Sequence, residues 1–315
     1  MTKRAIPLVD LQKFTQGDQV SRQEFATAIG TAFKEIGFVG VINHGIPKEL
    51  IDRFYQVAKA FFALPDETKR KYEIEALAGQ RGYTSFGKEH AKQSEYADLK
   101  EFFQIGQEVE GGNLEEYPTN IHVKEVENFT STGMELYKSF EKAGGALLKA
   151  IAIFLGLDEH YFESHIKDGN SILRAIHYPP ITREPASAIR AEQHEDINLI
   201  TLLVGASAGG LEILNANQKW LPIIPENDEI VINVGDMLQR LTNNYLKSTT
   251  HRVVNPPKTE WHLPRLSIPF FLHPKSNMDL TCLPQCVDEN RPTAYPPIDA
   301  GTYLWERLKE IGLTK

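Results

Sequence analysis

The second half of the chain is a series of short apolar runs separated by turns. From Ser171 onward, segments rich in Gly, Asn and Pro punctuate runs of five to eight residues, namely SILRAIHY, NLITLLV, GLEIL, WLPII, EIVINVG, STTHRVV and RLSIPFFL. No helical crossover pattern lies between them, as a parallel sheet would need. The runs therefore predict an antiparallel β-sandwich or barrel, interrupted only by a helical turn over 236–242.

The N-terminal half carries helical patterns that would flank this sheet. Ser21 and Glu24 have the spacing of a capping box, and apolar residues at helical spacing follow, which predicts a helix over 21–36. The β-branched and aromatic run 37–46 predicts a buried strand, and a second helix is expected over 48–62. The chain is thus expected to be mainly β with flanking helices, an α+β fold.

Further helices are expected on the outside of the sheet. Apolar residues keep a 3.6-residue spacing over 129–155, so this long helix should lay one face on the sheet. The segment 301–313 has the same pattern and should pack back on the body. Residues 76–120 are polar and Gly-rich apart from a possible strand over 98–106, and the part from 76 to 94 is a candidate lid over a site.

Composition and charge limit the classes of partner. The 315 residues are 41% hydrophobic and 24% charged, which is ordinary for a globular protein. The net charge of -8 disfavours nucleic acid, which needs clustered Lys and Arg. No apolar run is long enough for a signal peptide or membrane span. Cys282 and Cys286 are expected to be free thiols, so a cytoplasmic protein without a membrane partner is predicted; the sequence indicates nothing about oligomeric state.

Three side chains from the strand-rich half form a candidate metal site. In a strand, residues two apart point to the same face, so His194 and Asp196 would aim at one point. His251 lies in another strand-like run, which an antiparallel fold can bring alongside. Two imidazoles and one carboxylate fill three of about six positions on a divalent iron ion and leave adjacent positions open. Such a metal is suited to reaction more than to holding a fold together.

An arginine in an apolar strand indicates an acidic ligand. Arg265 and Ser267 share one face of RLSIPFFL, where an unpaired guanidinium would be costly to bury. Its planar fork matches a carboxylate, and no neighbouring run offers an obvious internal carboxylate. A ligand carboxylate is therefore the favoured partner, and Tyr178, at the end of SILRAIHY, could add a hydroxyl to it.

Taken together, these motifs resemble the isopenicillin N synthase-like family of non-haem iron(II), 2-oxoglutarate-dependent dioxygenases, over nearly the whole chain. The resemblance rests on their order: IPLVDL, GFVGVINHGIP, FFALPDETKRKY, HED, GGLEIL, WLPI, INVGDMLQRLTNNYLKSTTHRVV and RLSIPFFLHP. One departure is that the family often has Asn-Tyr-Tyr-Pro where this chain has Ile176-His177-Tyr178-Pro179, so the Asn commonly placed near the co-substrate is absent.

The resemblance implies a double-stranded β-helix, or jelly roll, and a set of cofactors. It implies Fe(II) bound by His194, Asp196 and His251, and 2-oxoglutarate held by the Arg265, Ser267 and Tyr178 side chains described above. O2 would be the oxidant, and the enzyme an oxidoreductase that oxidises, by default hydroxylates, a small organic substrate with release of succinate and CO2. The implied regions are an N-terminal helical and strand region (1–120), the jelly-roll core (165–280) and a C-terminal tail with a packed helix (281–315).

Alternatives remain open at this point. Isopenicillin N synthase itself uses no 2-oxoglutarate, so the arginine indicates an acid more firmly than it indicates which acid. A non-enzymatic small-molecule-binding relative or a structural zinc site would use the same scaffold, although three ligands with an open face suit chemistry better. Four aromatic residues are candidate substrate contacts, with a place in the core as the alternative: Tyr83, Phe102, Phe103 and Phe271.

Overall fold

The fold is built on two facing β-sheets. The computed structural model describes residues 4–77, 79–89, 96–205, 207–226 and 228–310. Within these ranges the strands are β1 (Leu8–Asp10), β2 (Phe38–Ile42), β3 (Gly82–Thr84), β4 (Glu101–Gly106), β5 (Ile172–Tyr178), β6 (Ala191–His194), β7 (Ile200–Val204), β8 (Leu211–Leu214), β9 (Trp220–Pro222), β10 (Ile230–Val234), β11 (His251–Val253) and β12 (Arg265–Leu272).

Strand pairing produces the predicted jelly roll. The larger sheet has the order β1-β2-β10-β7-β12-β5-β4-β3, and the smaller one has the order β6-β11-β8-β9. Apart from the parallel β1–β2 pair, the pairs between these strands are antiparallel. The N-terminal part of the chain supplies four strands of the larger sheet, so it is continuous with the core through backbone hydrogen bonds.

In the described part of the chain, eight helices flank the two sheets, and the longest of them packs on the outer face of the larger sheet. They are α1 (Gln12–Thr15), α2 (Gln19–Glu35), α3 (Lys48–Phe62), α4 (Asp66–Arg70), α5 (Phe129–Phe154), α6 (Glu163–Ile166), α7 (Asp236–Leu241) and α8 (Ala300–Glu310). As the 3.6-residue pattern predicts, α5 buries one stripe, which includes Phe140, Leu147 and Ile151, against the sheet and against α2 and α3. None of the described helices is both long enough and apolar enough to span a bilayer.

A second, smaller apolar cluster lies between the sheets. Its members come from the inner faces of both sheets and include Phe38, Phe102, Ile213 and Val253. The space between the sheets is therefore lined largely by apolar side chains, with polar side chains projecting into it. This space is where the functional residues meet.

The structure differs from the sequence predictions at several local points. Helix α2 begins earlier than expected, because Asp18, whose carboxylate accepts a hydrogen bond from the Ser21 amide, is the cap in place of Ser21. Strand β3 lies in the segment 76–94, which the sequence indicates only as a loop or lid. Residues 78 and 90–94 of that candidate lid, like 311–313 of the C-terminal pattern, lie outside the described residues.

Candidate active site

Three potential metal ligands converge at one edge of the smaller sheet. His194 on β6 and His251 on β11 are directly paired across the strands, and their ring centroids are 4.4 Å apart. The ligand atoms of these two residues and of Asp196 all lie within 4.8 Å of one another. The three residues that the sequence groups as a candidate metal site therefore lie close together in the structure.

The way Asp196 reaches this point differs from the prediction. Strand β6 ends at His194, so Asp196 lies in the loop that follows and strand alternation does not aim it. Its carboxylate is held from the larger sheet instead. Oδ2 accepts hydrogen bonds from Thr201 Oγ1 at 2.6 Å and from Asn233 Nδ2 at 2.8 Å. Burial opposes ionisation of Asp196, but the two histidines and these donors outweigh it and lower its pKa.

Backbone carbonyls fix the orientation of both imidazoles. Nδ1 of His194 lies 2.6 Å from the carbonyl oxygen of Glu192, and Nδ1 of His251 lies 3.1 Å from that of Thr249. These contacts favour the proton on Nδ1, which leaves the lone pair of each Nε2 for a metal. Burial, with a contribution from neighbouring His251, lowers the pKa of His194 to about 4, so this ring is neutral near pH 7.

A buried guanidinium lies in the same cavity. Arg265 is 1% exposed, and its Nε donates to the carbonyl oxygens of Ala208 and Gly209. Among the described residues, Nη1 is buried without any hydrogen-bond partner. Tyr178 is paired with Arg265 across β5–β12, and the guanidinium carbon lies 4.9 Å from its ring centroid. An orphaned cationic donor of this kind fits a ligand carboxylate.

Some of the candidate 2-oxoglutarate and substrate residues line the cavity, and one belongs to the hydrophobic core instead. Ser267 lines the cavity, as do Phe102, Phe271 and Tyr83. Tyr83 is otherwise buried, and its hydroxyl donates to Glu101. Phe103 does not line the cavity, because alternation along β4 turns it to the helix side, where its ring packs against Phe61 and Phe129 at 5.1 and 4.8 Å.

The sequence did not predict several polar residues that line the cavity. Arg174 on β5 and Gln104 on β4 are paired across the strands and line the cavity, whose volume of about 2110 Å³ exceeds the need of one small ligand. The sequence pattern that could have identified them is a polar residue on the inward face of an otherwise apolar strand. The same pattern identifies Arg265. The same signal applies to Thr201 and Asn233.

Sequence families match both halves of the chain. Residues 6–125 match the family described as the non-haem dioxygenase in morphine synthesis N-terminal region, and residues 169–274 match the 2OG-Fe(II) oxygenase superfamily. A relative from Emericella nidulans, the 2-oxoglutarate-Fe(II) type oxidoreductase hxnY, is 29% identical over 95% of this chain and 88% of its own length. The 2-oxoglutarate-dependent dioxygenase htyE of Aspergillus rugulosus is 30% identical over 92% of this chain and 94% of its own length.

Solved structures show the same fold. A 2OG-Fe(II) oxygenase family protein from Caulobacter crescentus has 42% identity and a TM-score of 0.89, covering 98% of this chain and 100% of that one. A full-length Neurospora crassa protein in complex with α-ketoglutarate, which is 2-oxoglutarate, has 33% identity and a TM-score of 0.87, covering 98% and 97%. The chain therefore belongs to the isopenicillin N synthase-like family of non-haem Fe(II), 2-oxoglutarate-dependent dioxygenases.

Proposed function

We propose that this dioxygenase hydroxylates a small organic molecule, with His194, Asp196 and His251 as its iron ligands. The observation that carries the proposal is the cluster of ligand atoms within 4.8 Å of one another in the same cavity as a buried, partnerless guanidinium nitrogen. A cavity of this size has room for both a co-substrate and a substrate. The bound Fe(II) and 2-oxoglutarate would supply the oxidant, as O2 is reduced and 2-oxoglutarate is converted to succinate and CO2.

The chain's own residues orient the reactants. The two imidazoles and one carboxylate would hold an iron ion through three ligands, which would leave it able to bind a chelating co-substrate and O2. Arg265 would pair with the distal carboxylate of 2-oxoglutarate, and the hydroxyls of Ser267 and Tyr178 would complete that end. The carboxylate would accept a hydrogen bond from Nη1 of Arg265, which is otherwise buried without a partner among the described residues. Binding would thereby remove the cost of that unpaired donor.

The surroundings of the histidines restrict their motion. Phe38, on β2 of the larger sheet, contacts the His251 ring edge-on, with centroids 5.4 Å apart. The contact of Nδ1 with the Thr249 carbonyl and this ring contact would together restrict the rotation of the His251 side chain. A ligand held in place before metal binding loses less side-chain entropy when the metal arrives.

Substitution of the proposed ligands tests the function. The protein would be loaded anaerobically with Fe(II) and supplied with 2-oxoglutarate and O2, and succinate would be measured. His194→Ala, Asp196→Ala and His251→Ala should each abolish substrate-independent succinate formation, whereas Gln193→Ala, an exposed neighbour, should retain it. Undiminished succinate formation in any ligand variant would refute that assignment. O2 uptake that needs no 2-oxoglutarate would instead support an isopenicillin N synthase-type oxidase.

The cellular setting is also part of the proposal. Cys282 and Cys286 are both free and buried, which fits the reducing cytoplasm. The net charge of -8 supports a small-molecule partner over nucleic acid. Among structural relatives, the Neurospora crassa protein has also been captured with thymine, a small planar ring. A small molecule is accordingly the proposed class of substrate.

A further inference from the structure

A second arginine lies in the cavity between two aromatic side chains. Arg174 is on β5, and its guanidinium carbon lies 4.2 Å from the ring centroid of Phe102 and 5.2 Å from that of Phe271. Its side chain is 17% exposed, so it is largely withdrawn from solvent yet open to the cavity. Contacts with both rings confine the planar guanidinium group.

Hydrogen bonds fix which edge of this guanidinium is available. Nε donates to Gln104 Oε1 at 2.7 Å, and the Gln104 amide in turn donates to the carbonyl of Gly79. Nη1 lies 3.4 Å from both oxygens of Glu89, a long and weak contact. Among the described residues, none accepts a hydrogen bond from Nη2. A positioned donor is thus left for a ligand.

The strand register places Arg174 near the reacting centre. Ile172, two residues before Arg174, is paired with Phe271 across β5–β12. Phe271 is in turn paired with Thr201, whose hydroxyl donates a hydrogen bond to Asp196. Ile176, two residues after Arg174, is paired with Ser267. Arg174 therefore lies on the cavity wall between the level of the metal carboxylate and the level of the 2-oxoglutarate end.

The local charges indicate what kind of acceptor fits. Lys100 is buried and ion-paired with Glu89 at 3.1 Å and with Asp98 at 2.7 Å. Among the described residues, Lys100 and Arg174 supply two positive charges to this cluster and Glu89 and Asp98 two negative ones, so these charges balance. Adding an anion would leave a net negative charge in a desolvated site, whereas a neutral carbonyl oxygen accepts a hydrogen bond without one.

We propose that Arg174 selects the substrate, and that the substrate is a small planar, neutral ring bearing a carbonyl oxygen. The carbonyl accepts from Nη2, and the ring packs against Phe271, the more accessible of the two aromatic residues. The proposal rests on the proposed function, since it places the ring beside the iron ligands. It gives Arg174 a direct contact with substrate, and Gln104 a positioning role through Nε.

Binding measurements under anaerobic conditions test the proposal. The protein would be loaded with Mn(II) and 2-oxoglutarate, and calorimetry would give the Kd of thymine, a neutral planar dicarbonyl ring, and of benzoate, a planar carboxylate. The wild type should bind thymine more tightly than benzoate. Arg174→Met, which keeps the stem between the two rings, should weaken thymine binding by about 10- to 100-fold, the loss expected for a charge-assisted hydrogen bond.

Two further variants, and the binding of 2-oxoglutarate, are the controls for structural effects of the substitution. Arg22→Met removes a matched guanidinium, 4.3 Å from the Phe14 ring and paired with Glu159, outside the cavity, and should leave thymine affinity unchanged. Arg174→Lys keeps the charge but loses the fork fixed by Gln104, so it should recover only part of the affinity. The 2-oxoglutarate Kd and the Tm of Arg174→Met should match the wild type, which a merely structural role would not allow.

Specific outcomes would overturn the inference. Wild type that binds 2-oxoglutarate but not thymine, or that prefers benzoate, contradicts the neutral carbonyl class. Thymine affinity that survives Arg174→Met contradicts the role of this residue. Failure of the wild type to bind 2-oxoglutarate in the presence of metal would instead remove the proposed function itself, and this proposal with it.

Discussion

Asn233 on the larger sheet donates a hydrogen bond over 2.8 Å to Oδ2 of Asp196, which lies in the loop after β6 of the smaller sheet. Thr201, paired with Asn233 across β7–β10, donates to the same oxygen over 2.6 Å. The proposed iron-ligand carboxylate is thus oriented by the opposite sheet. The two sheets must dock correctly for the metal site to exist, which links folding to metal binding.

Asn233→Ala should weaken metal binding while leaving the three proposed ligands in place. Partners that orient metal ligands contribute roughly 10- to 100-fold to metal affinity, and this variant removes one of two. Calorimetric titration of the metal-free protein with Mn(II) would measure the change. Asn217→Ala, in an exposed turn, is the control and should bind as the wild type does. Equal affinities in the two variants would contradict the orienting role.

Arg265→Met should raise the Kd of 2-oxoglutarate by about 100-fold or more, because the proposed charge-assisted contact with the distal carboxylate would be lost. Metal affinity should stay unchanged, since Arg265 is not in the ligand cluster. Arg291→Met is a matched control: its Nε also donates to a backbone carbonyl, and its guanidinium lies 4.6 Å from the Tyr245 ring. Anaerobic titration of each variant with 2-oxoglutarate decides the matter, and unchanged affinity in Arg265→Met would exclude the assigned contact.

His273 should make the metal-free protein sensitive to acid. Burial lowers the pKa of His273 to about 4, and among the described residues its Nδ1 has no hydrogen-bond partner. The unfolded chain takes up this proton near pH 6.5, whereas the folded one resists until about pH 4. The stabilisation is therefore complete above about pH 6.5 and is lost as the pH falls towards 4, by at most about 3 kcal/mol.

Replacement of this histidine isolates its contribution. In His273→Leu, the free energy of unfolding should fall less between pH 7 and pH 4.5 than in the wild type, as measured by urea titration of the metal-free proteins. At pH 7.5 the two should be similar, because an unpaired buried polar group is replaced by an apolar one of comparable size. Parallel losses of stability in both proteins would show that His273 does not carry the effect.

Two adjacent glycines of α5 should respond oppositely to alanine. A Cβ at Gly144 would stand 2.3 Å from Leu272 Cδ1, in the buried contact between α5 and the sheet, whereas one at Gly145 meets nothing nearer than 3.7 Å. Gly145→Ala should stabilise the protein by up to about 1 kcal/mol through helix propensity. Gly144→Ala should destabilise it by about 1–3 kcal/mol through overpacking. Thermal unfolding compares them, and a stabilised Gly144→Ala would contradict this packing.

Local pattern was sufficient for α5 and for the strands of the second half other than β6, because period and turn residues are properties of neighbouring residues. Local pattern was insufficient where it had to show which face of the sheet a side chain points to. Phe102 and Phe103 are consecutive in β4, so they point to opposite faces, and only the sheet's surroundings show that Phe102 lines the cavity. Strand β3 is three residues long and carries too little pattern to be recognised in a Gly-rich segment.

The sequence by itself determined which side chains are predicted to meet a ligand: two histidines, a carboxylate and an arginine in apolar surroundings, each costly to bury without a partner. Only the tertiary structure decided how they meet. Asp196 is aimed by Thr201 and Asn233 from the facing sheet, although strand alternation predicts a different support. Arg174 acquires its place only when β4, β5 and β12 are aligned. Periodicity is local, whereas strand register and sheet docking are set by contacts between distant residues, so the sequence names the participants and the fold positions them.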